Sequence, residues 1–266
     1  MSAGFMNLAH ALLTEHDKGE AFHPFEEGSG VETADDAYAV QDHYVSLLRE
    51  RLGARAGYKV GLTSAKMQAM CGIDQPVAGV VFGERVFHSG AILDASRYGR
   101  LGVEFEIGVR LGTNLGPSPR PYAVETVAPA VSAICAAVEM VDDRNAEYGK
   151  LDALALIADN SWNAGIVLGE WCDNWPDPAG IEGVVWLDGV VIDSGHGRDV
   201  LGHPFAPLAW LANHLLSRGE GLKAGDIVLT GSLCVTRFPK PPCRFRYELP
   251  GMSEVAFRIE DKVTGG

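Results

Sequence analysis

Residues 101–111 read Leu-Gly-Val-Glu-Phe-Glu-Ile-Gly-Val-Arg-Leu, an alternation of apolar and polar or small residues. A period of two predicts a β-strand with its branched and aromatic side chains on one face. Glu104 and Glu106 then share the other face, about 7 Å apart, and Gly108 is expected to leave that face open. Two such carboxylates repel each other unless water solvates them, one is protonated or a cation bridges them. The strand indicates either a solvated acidic face or part of a cation site.

The whole chain has the composition of a globular protein. Its 266 residues, 47 % of them hydrophobic, can bury a sizeable core as one large domain or as one domain with an N-terminal appendage. The formal net charge of −13 argues against binding to nucleic acid or to anionic membranes. No apolar run has the length of a membrane span, and the N-terminus has no basic segment followed by an apolar one. We therefore expect neither a nucleic-acid partner nor a membrane.

The spacing of the cysteines and histidines argues against disulfide bonds and against a zinc site. The five cysteines are odd in number and scattered, without a C-x-x-C pair, which predicts reduced thiols in a cytoplasmic protein. The eight histidines form no H-x-H or H-x-x-x-H pair, so a zinc site is not indicated.

The N-terminal part is expected to be helical. Residues 1–20 predict a short helix, and a second one begins after Thr33, a good N-cap residue, and ends at Gly53. We therefore predict a helical segment of residues 1–55 packed on a β-rich domain of residues 56–266.

A strand is predicted over residues 57–63, with Lys59 and Gly61 on the face opposite to its larger apolar side chains. A lysine on a strand is commonly a solvated edge charge. Flanking glycines favour instead a close approach of another group to the backbone. Ser64 then caps a short helix, and residues 77–82 form a further apolar segment.

The second half of the chain is predicted to be rich in strands with inserted helices. Residues 125–138 are mostly small and apolar, which predicts a buried helix, with Glu139 at its end either exposed or paired. Asp188-Gly189 predicts a β-hairpin, residues 202–218 predict a helix, and residues 230–232 predict a turn after a strand. This order of elements predicts the α+β fold class.

Carboxylates supply the clearest chemistry in the sequence. Glu104 and Glu106, joined by a third carboxylate such as Glu139, would form an oxygen-only site that suits Mg²⁺ or Mn²⁺ better than zinc or copper. The chain has neither a G-x-S-x-G motif nor a G-x-G-x-x-G motif between a strand and a helix. Two neighbours on one strand face are also badly placed as the acid and base of a glycosidase.

Seven segments occur in an order that resembles one enzyme family. They are 57–64 (Gly-Tyr-Lys-Val-Gly-Leu-Thr-Ser), 72–76 (Gly-Ile-Asp-Gln-Pro), 104–106 (Glu-Phe-Glu), 138–142 (Val-Glu-Met-Val-Asp), 159–161 (Asp-Asn-Ser), 202–204 (Gly-His-Pro) and 225–231 (Gly-Asp-Ile-Val-Leu-Thr-Gly). The pattern is similar to the 2-keto-4-pentenoate hydratase/4-oxalocrotonate decarboxylase family of the fumarylacetoacetate hydrolase superfamily, over about residues 35–233. The resemblance implies a fumarylacetoacetase C-terminal-like mixed β-roll with peripheral helices, assembled as a homo-oligomer.

The same resemblance implies a set of site residues. Mg²⁺ or Mn²⁺ would be held by Glu104, Glu106 and Glu139, and the catalytic residues would be Lys59 and Asp74. The substrate, a small 2-oxo acid, would be bound by Leu62, Ser161, Thr230 and Gly231.

The activity implied is that of a metal-dependent lyase, which adds water to a 2-oxo-4-enoate in aromatic catabolism through a metal-stabilised enolate. The alternatives are a decarboxylase of the 4-oxalocrotonate type and a hydrolase that cleaves a C–C bond in a diketo acid. The hydrolase would use a Glu–His pair from an N-terminal lid, for which His16, His23 and Glu26 are unmatched candidates. A non-enzymatic alternative is an inactive partner subunit in a mixed oligomer.

The sequence departs from the family pattern after Ser232. The following segment contains Arg237, Lys240 and Arg244 where the family has a turn with proline and glycine. These bases predict either a solvated surface loop or a contact between Arg237 or Lys240 and a second carboxylate or a larger anionic group of the substrate. The exact substrate is left open.

Overall fold

The structure, a computed structural model, describes residues 3–262. Two ends of the chain lie outside the described residues. They are Met1 and Ser2 of the predicted N-terminal segment and residues 263–266 of the predicted β-rich domain. The α-helices are α1 (Ala3–Lys18), α2 (Ala34–Leu52), α3 (Ala65–Met70), α4 (Val124–Val127), α5 (Ala153–Ala158) and α6 (Phe205–Ser217). The strands are β1 (Arg55–Gly61), β2 (Val77–Phe82), β3 (Val86–His88), β4 (Ile92–Asp94), β5 (Leu101–Leu111), β6 (Val131–Asp142), β7 (Asn163–Leu168), β8 (Glu182–Leu187), β9 (Val190–His196), β10 (Ile227–Ser232), β11 (Cys243–Leu249) and β12 (Ser253–Glu260).

The strands form two mixed sheets, which confirms the predicted α+β class. One sheet has seven strands in the order β2-β1-β10-β5-β6-β7-β3, and the other has five in the order β4-β12-β11-β8-β9. The apolar face of β5 packs against the second sheet, since the ring of Phe105 lies 5.6 Å from that of Phe245 and 5.4 Å from that of Tyr247. The main core therefore lies on that face, and the glutamates of β5 are on the opposite one.

The polar face of β5 differs from the prediction at Gly108. A Cβ at this glycine would lie 3.0 Å from the Cβ of Ala137 and 3.1 Å from the Sγ of Cys135, both on β6. The face is therefore filled by small β6 side chains beside Gly108 and is not open there.

The predicted helix over residues 125–138 is wrong. Helix α4 ends at Val127, a single 3₁₀ turn follows, and β6 begins at Val131. Most of β6 is buried on both faces, so its residues are small and apolar without the alternation that marks a half-exposed strand. An apolar run of this kind does not distinguish a buried strand from a buried helix by its pattern.

The N-terminal helices follow the prediction. Helix α2 begins after Thr33, which forms a capping box with Asp36, and ends at Gly53. The buried side chain of Gln41 in α2 donates to the carbonyl of Ala78, at 2.9 Å, and to that of Ile157, at 2.7 Å. The division of the chain at residue 55 stays a prediction. Between residues 3 and 262, no helix has both the length and the apolar character needed to cross a membrane.

Most later elements also agree with the sequence. The hairpin is β8–β9, and α3, α5, α6 and β7 lie within a few residues of their predicted places. The predicted turn at residues 230–232 is instead part of β10, in which an irregularity between Leu229 and Ser232 shifts the register against β5.

Strand β2 lies at the edge of the seven-stranded sheet, and side chains complete its main-chain hydrogen bonds. Asn160 accepts from the N–H of Val80 at 2.7 Å and donates to its carbonyl at 2.9 Å, while the Ser161 hydroxyl donates to the carbonyl of Ala78 at 3.0 Å. Asn160, Ser161 and Trp162 are left-handed, with φ of 49°, 50° and 59°. The left-handed conformation costs a non-glycine residue about 1 kcal/mol. The hydrogen bonds of Asn160 and Ser161 to β2 offset this cost and hold the turn in place.

We predict that Asn160→Ala lowers the free energy of unfolding by about 3 kcal/mol, because it leaves two buried main-chain groups of Val80 without partners. Urea unfolding monitored by circular dichroism measures this change. Asn145→Ala is the matched control, since Asn145 is also left-handed but exposed, with one 3.2 Å bond from its side chain to Gly99. Equal losses in the two variants would contradict the assigned role of the Asn160 side chain.

Candidate active site

Three glutamates meet on the polar face of β5 and β6. The antiparallel register places Glu104 directly opposite Glu139, and Glu106 lies two residues further along β5 on the same face. One carboxylate oxygen from each residue lies within 4.8 Å of the others. Glu106 and Glu139 are fully buried, and Glu104 is partly buried.

Burial makes negative charge unfavourable at this cluster. The pKa of Glu139 is raised to about 7, chiefly by burial, with Lys59 opposing the shift and Glu104 adding to it. Burial also raises the pKa of Glu106 well above its usual value, with Glu139 and Glu104 adding to the effect. A bound cation would reverse this penalty.

The cluster fits a divalent cation. Glu106 Oε1 is a buried oxygen that accepts no hydrogen bond within the described part of the chain, whereas Glu139 Oε2 has the Lys59 ammonium at 3.2 Å as its partner. A buried polar atom without a partner is rare and calls for an explanation, which a cation bound by Glu106 Oε1 would provide. The donor set contains only carboxylate oxygens, as Mg²⁺ and Mn²⁺ prefer. Three carboxylates and one lysine together carry a net charge that a divalent ion would neutralise.

Lys59 is a buried cation beside the glutamates. Its side chain is 5 % exposed, and its Nζ forms an ion pair with Glu139 Oε2 at 3.2 Å. Burial alone would lower the pKa of Lys59, but Glu139 and the other two glutamates raise it above its ordinary value. A Cβ at Gly61 would lie only 2.9 Å from this Nζ, so the glycine leaves room for the ammonium group.

Three hydrogen bonds hold the glutamates in place. The main-chain N–H of Gly231 donates to Glu106 Oε2 at 2.6 Å. The side chain of Asn163 donates to Glu139 Oε1 at 2.8 Å, and the hydroxyl of Thr236 donates to Glu104 Oε1 at 2.6 Å. Sequence reasoning missed Asn163 and Thr236, because no motif marks either residue.

A cavity of about 460 Å³ opens beside this cluster. Lys59 and Glu104 are among its lining residues, and the remaining wall is partly apolar, with Leu62, Met67, Val77, Leu151 and Leu156. The hydroxyls that line it belong to Thr63, Ser64, Tyr148, Ser161, Ser194, Ser232 and Thr236. The cavity thus combines a polar region at the glutamates with an apolar surface.

The predicted substrate-binding residues are only partly brought together. Leu62, Ser161 and Gly231 line the cavity, whereas Thr230 is fully buried and donates its hydroxyl proton to the carbonyl of Ile107 at 2.9 Å. Gly231 has a φ of 109°, and a Cβ there would lie 2.1 Å from the hydroxyl oxygen of Thr63.

Asp74, predicted to be catalytic, is exposed in the turn before β2 and is not one of the lining residues. Its role therefore stays a prediction without support from the geometry of the cavity.

The basic residues of the segment after Ser232 differ in their surroundings. Arg237 forms an ion pair with Asp193 of β9, so its guanidinium is already engaged by the second sheet. Lys240 and Arg244 are exposed. Asp193 and its neighbour Ser194 line the cavity, which sequence reasoning did not predict because a distant hairpin supplies them.

The N-terminal candidates for a Glu–His pair lie elsewhere. His16 Nε2 is 2.6 Å from Asp159 Oδ1, and His23 and Glu26 are exposed. No histidine is among the residues that line the cavity within the described chain.

Comparison with known proteins agrees with this architecture. The family described as "Fumarylacetoacetate (FAA) hydrolase C-terminal" matches residues 68–260. The chain belongs to the fumarylacetoacetate hydrolase family. It is 31 % identical to 2-keto-4-pentenoate hydratase 2 of Dechloromonas aromatica, with 90 % of each chain covered. It is 29 % identical to a 4-oxalocrotonate decarboxylase of Pseudomonas putida, covering 95 % of this chain and 94 % of the other.

The solved structure of a relative matches nearly the whole chain. The 4-oxalocrotonate decarboxylase of Pseudomonas putida G7, complexed with magnesium and adipate, superposes with a TM-score of 0.88 at 26 % identity, covering 96 % of this chain and 97 % of the other. The chain is thus an enzyme of the fumarylacetoacetate hydrolase family with the predicted fold, and its relatives include hydratases and decarboxylases.

We predict a pH-dependent stability that the glutamates control. Between about pH 4.5 and 7, the metal-free folded chain keeps a proton on Glu139 that the unfolded chain has released. Its free energy of unfolding should therefore fall as the pH rises through this range. Urea unfolding in EDTA at several pH values measures the slope, which should be shallower in Glu139→Gln.

Manganese should reverse the effect, because it binds the deprotonated carboxylates and stabilises the folded state more at pH 8 than at pH 5.5. Glu125→Gln, a change at an exposed glutamate, is the control and should behave like the wild type. An unchanged slope in Glu139→Gln would contradict the predicted protonation.

Proposed function

We propose that this enzyme is a divalent-metal-dependent lyase that adds water to a 2-oxo-4-enoate of the 2-hydroxypentadienoate type, in the breakdown of aromatic compounds. The observation that carries the proposal is the cluster of three glutamates, with an unpartnered buried oxygen on Glu106, beside a buried lysine at one cavity. The similarity to 2-keto-4-pentenoate hydratases supports the same substrate class.

The proposed cofactor is Mg²⁺ or Mn²⁺, held by Glu104, Glu106 and Glu139. When bound, it would supply a Lewis acid to the keto oxygen of the substrate. Lys59 adds positive charge beside these carboxylates, which favours an anionic substrate in a chain of net charge −13.

Lys59 is proposed to handle the proton that turns the dienol into the conjugated ketone. Its raised pKa keeps it protonated at neutral pH, so it starts as a proton donor. The hydroxyl of Ser161 already donates to the carbonyl of Ala78, so it faces the cavity as a hydrogen-bond acceptor. The family resemblance implies a catalytic role for Asp74 as well, and its exposed position outside the cavity lining gives that role no support.

The apolar part of the cavity wall suits the unsaturated carbon chain of the proposed substrate. Asp193 also lies on the wall, where its carboxylate is paired with Arg237. Arg237 balances the charge of Asp193 but is itself occupied by it. Water would add at the far end of the unsaturated chain and give a 4-hydroxy-2-oxo acid.

Decarboxylation is the second candidate, and one residue favours it. Lys66 of α3 lines the cavity, is exposed and forms no ion pair within the described residues. Such a cation is able to bind a second carboxylate, as a 4-oxalocrotonate-type substrate would require. Hydrolysis of a diketo acid has less support, because no histidine of the described chain lines the cavity. Homo-oligomeric assembly and a cytoplasmic location remain expectations.

The decisive experiment follows two substrates by ultraviolet absorbance and NMR. The protein is given 2-hydroxypenta-2,4-dienoate or 4-oxalocrotonate with Mg²⁺, Mn²⁺ or EDTA. Metal-dependent formation of a 4-hydroxy-2-oxo acid from the dienoate supports the hydratase, and release of CO₂ from oxalocrotonate supports the decarboxylase. Metal binding without turnover, together with co-purification of a homologue, would favour an inactive partner subunit. A protein that neither binds the metal ion nor converts either substrate would refute the proposal.

We predict that Lys59→Met lowers kcat by about 10²–10⁴, because it removes the proton donor, while Mn²⁺ still binds. Steady-state kinetics and Mn²⁺ titration by electron paramagnetic resonance measure the two effects separately. Lys150→Met is the control, since Lys150 is exposed and pairs with Glu147. Turnover close to the wild-type rate in Lys59→Met would remove this lysine from the mechanism.

A further inference from the structure

The segment of residues 233–238, here called the strap, joins the glutamate cluster to the second sheet. The N–H of Leu233 donates to the carbonyl of Phe105 at 2.8 Å. Arg237 and Val103 exchange main-chain hydrogen bonds in both directions, at 2.8 and 3.0 Å. The strap therefore runs alongside β5 past Glu104, at the end of the strand nearest the cluster.

Thr236 is the strap residue that contacts the cluster. Its hydroxyl donates to Glu104 Oε1 at 2.6 Å, a distance typical of a strong hydrogen bond to a carboxylate. Glu104 is the most exposed of the three glutamates, so without this bond its side chain has more freedom to leave the cluster than Glu106 or Glu139. The bond restrains the orientation of the Glu104 carboxylate.

Arg237 fixes the strap from the other side. Its guanidinium pairs with Asp193 of β9, whose second oxygen accepts from the N–H of Ser194 at 3.0 Å. Asp193 is thus held in position by its own strand while it binds Arg237. Because Arg237 follows Thr236 directly, this ion pair restrains the main chain that carries the Thr236 hydroxyl.

We propose that Thr236 is a positioning residue for the cation ligand Glu104, and that the Arg237–Asp193 ion pair acts through Thr236 by holding the strap. The affinity of the cluster for a divalent cation would then depend on a contact between the two sheets. This inference rests on the proposed metal site, but it is independent of whether the reaction is hydration or decarboxylation. Partners of metal ligands commonly change metal affinity 10- to 100-fold when they are removed.

The test measures the Kd for Mn²⁺ by electron paramagnetic resonance, without substrate. Thr236→Val removes the donor at nearly constant volume and should raise the Kd about 10-fold. Thr236→Ser keeps the hydroxyl and should bind Mn²⁺ like the wild type. Thr14→Val is the control, because Thr14 is exposed on α1 and its hydroxyl donates to the carbonyl of His10 in the same helix.

The ion pair is tested by Arg237→Met and Asp193→Asn, each of which should raise the Kd several-fold. If Arg237 acts through Thr236, the double variant Thr236→Val/Arg237→Met should bind no more weakly than Thr236→Val alone. Arg51→Met, which breaks the exposed Arg51–Asp17 pair between α1 and α2, should leave the Kd unchanged. Thermal unfolding of each variant identifies any that fail to fold.

The outcomes separate this inference from the proposed function. A wild-type protein that binds no Mn²⁺ would refute the metal site itself. Wild-type binding with an unchanged Kd in Thr236→Val would refute the positioning role alone. Equal weakening in Thr236→Val and Thr236→Ser would show that shape matters and the hydroxyl does not. Additive effects in the double variant would show that Arg237 does not act through Thr236.

Discussion

The pairing of Glu104 with Glu139 across β5 and β6 is the constraint on which the rest of the site depends. This register puts three carboxylates on one largely buried surface, where the raised pKa values of Glu106 and Glu139 report how unfavourable their charge is. Lys59 offsets part of that charge, and a divalent cation would offset the remainder. Without a cation, the fold keeps the unpartnered Oε1 of Glu106 in its interior, which is costly.

The surrounding structure keeps these groups close by making room for them. Gly61 leaves space for the ammonium of Lys59, and the left-handed Gly231 brings its N–H to Glu106. The side chain of Asn160 completes the hydrogen bonds of an edge strand and holds a strained turn that brings Ser161 to the cavity. Local strain is thus concentrated beside the site and is balanced by hydrogen bonds further out.

The sequence predicts those parts of the structure in which a local pattern determines the outcome. The alternation around Glu104 and the capping box at Thr33 correctly identified β5 and the start of α2. The buried strand β6 was predicted to be a helix, because burial on both faces removes the alternation on which a strand prediction depends. Glu139, which lies on this strand, was predicted from the residues as one candidate for a third carboxylate, and the family resemblance implies the same role.

Contacts between distant segments cannot be predicted from a local sequence pattern. Thr236 and Asp193 reach the cavity from a strap and a hairpin whose meeting depends on how the two sheets pack. The same packing occupies Arg237, which sequence reasoning offered as a binding group for the substrate. Because β9 of the second sheet supplies part of the cavity wall, changes in that sheet can alter the cavity without touching Glu106, Glu139 or Lys59. This separation is consistent with a family in which hydratases and decarboxylases share one fold.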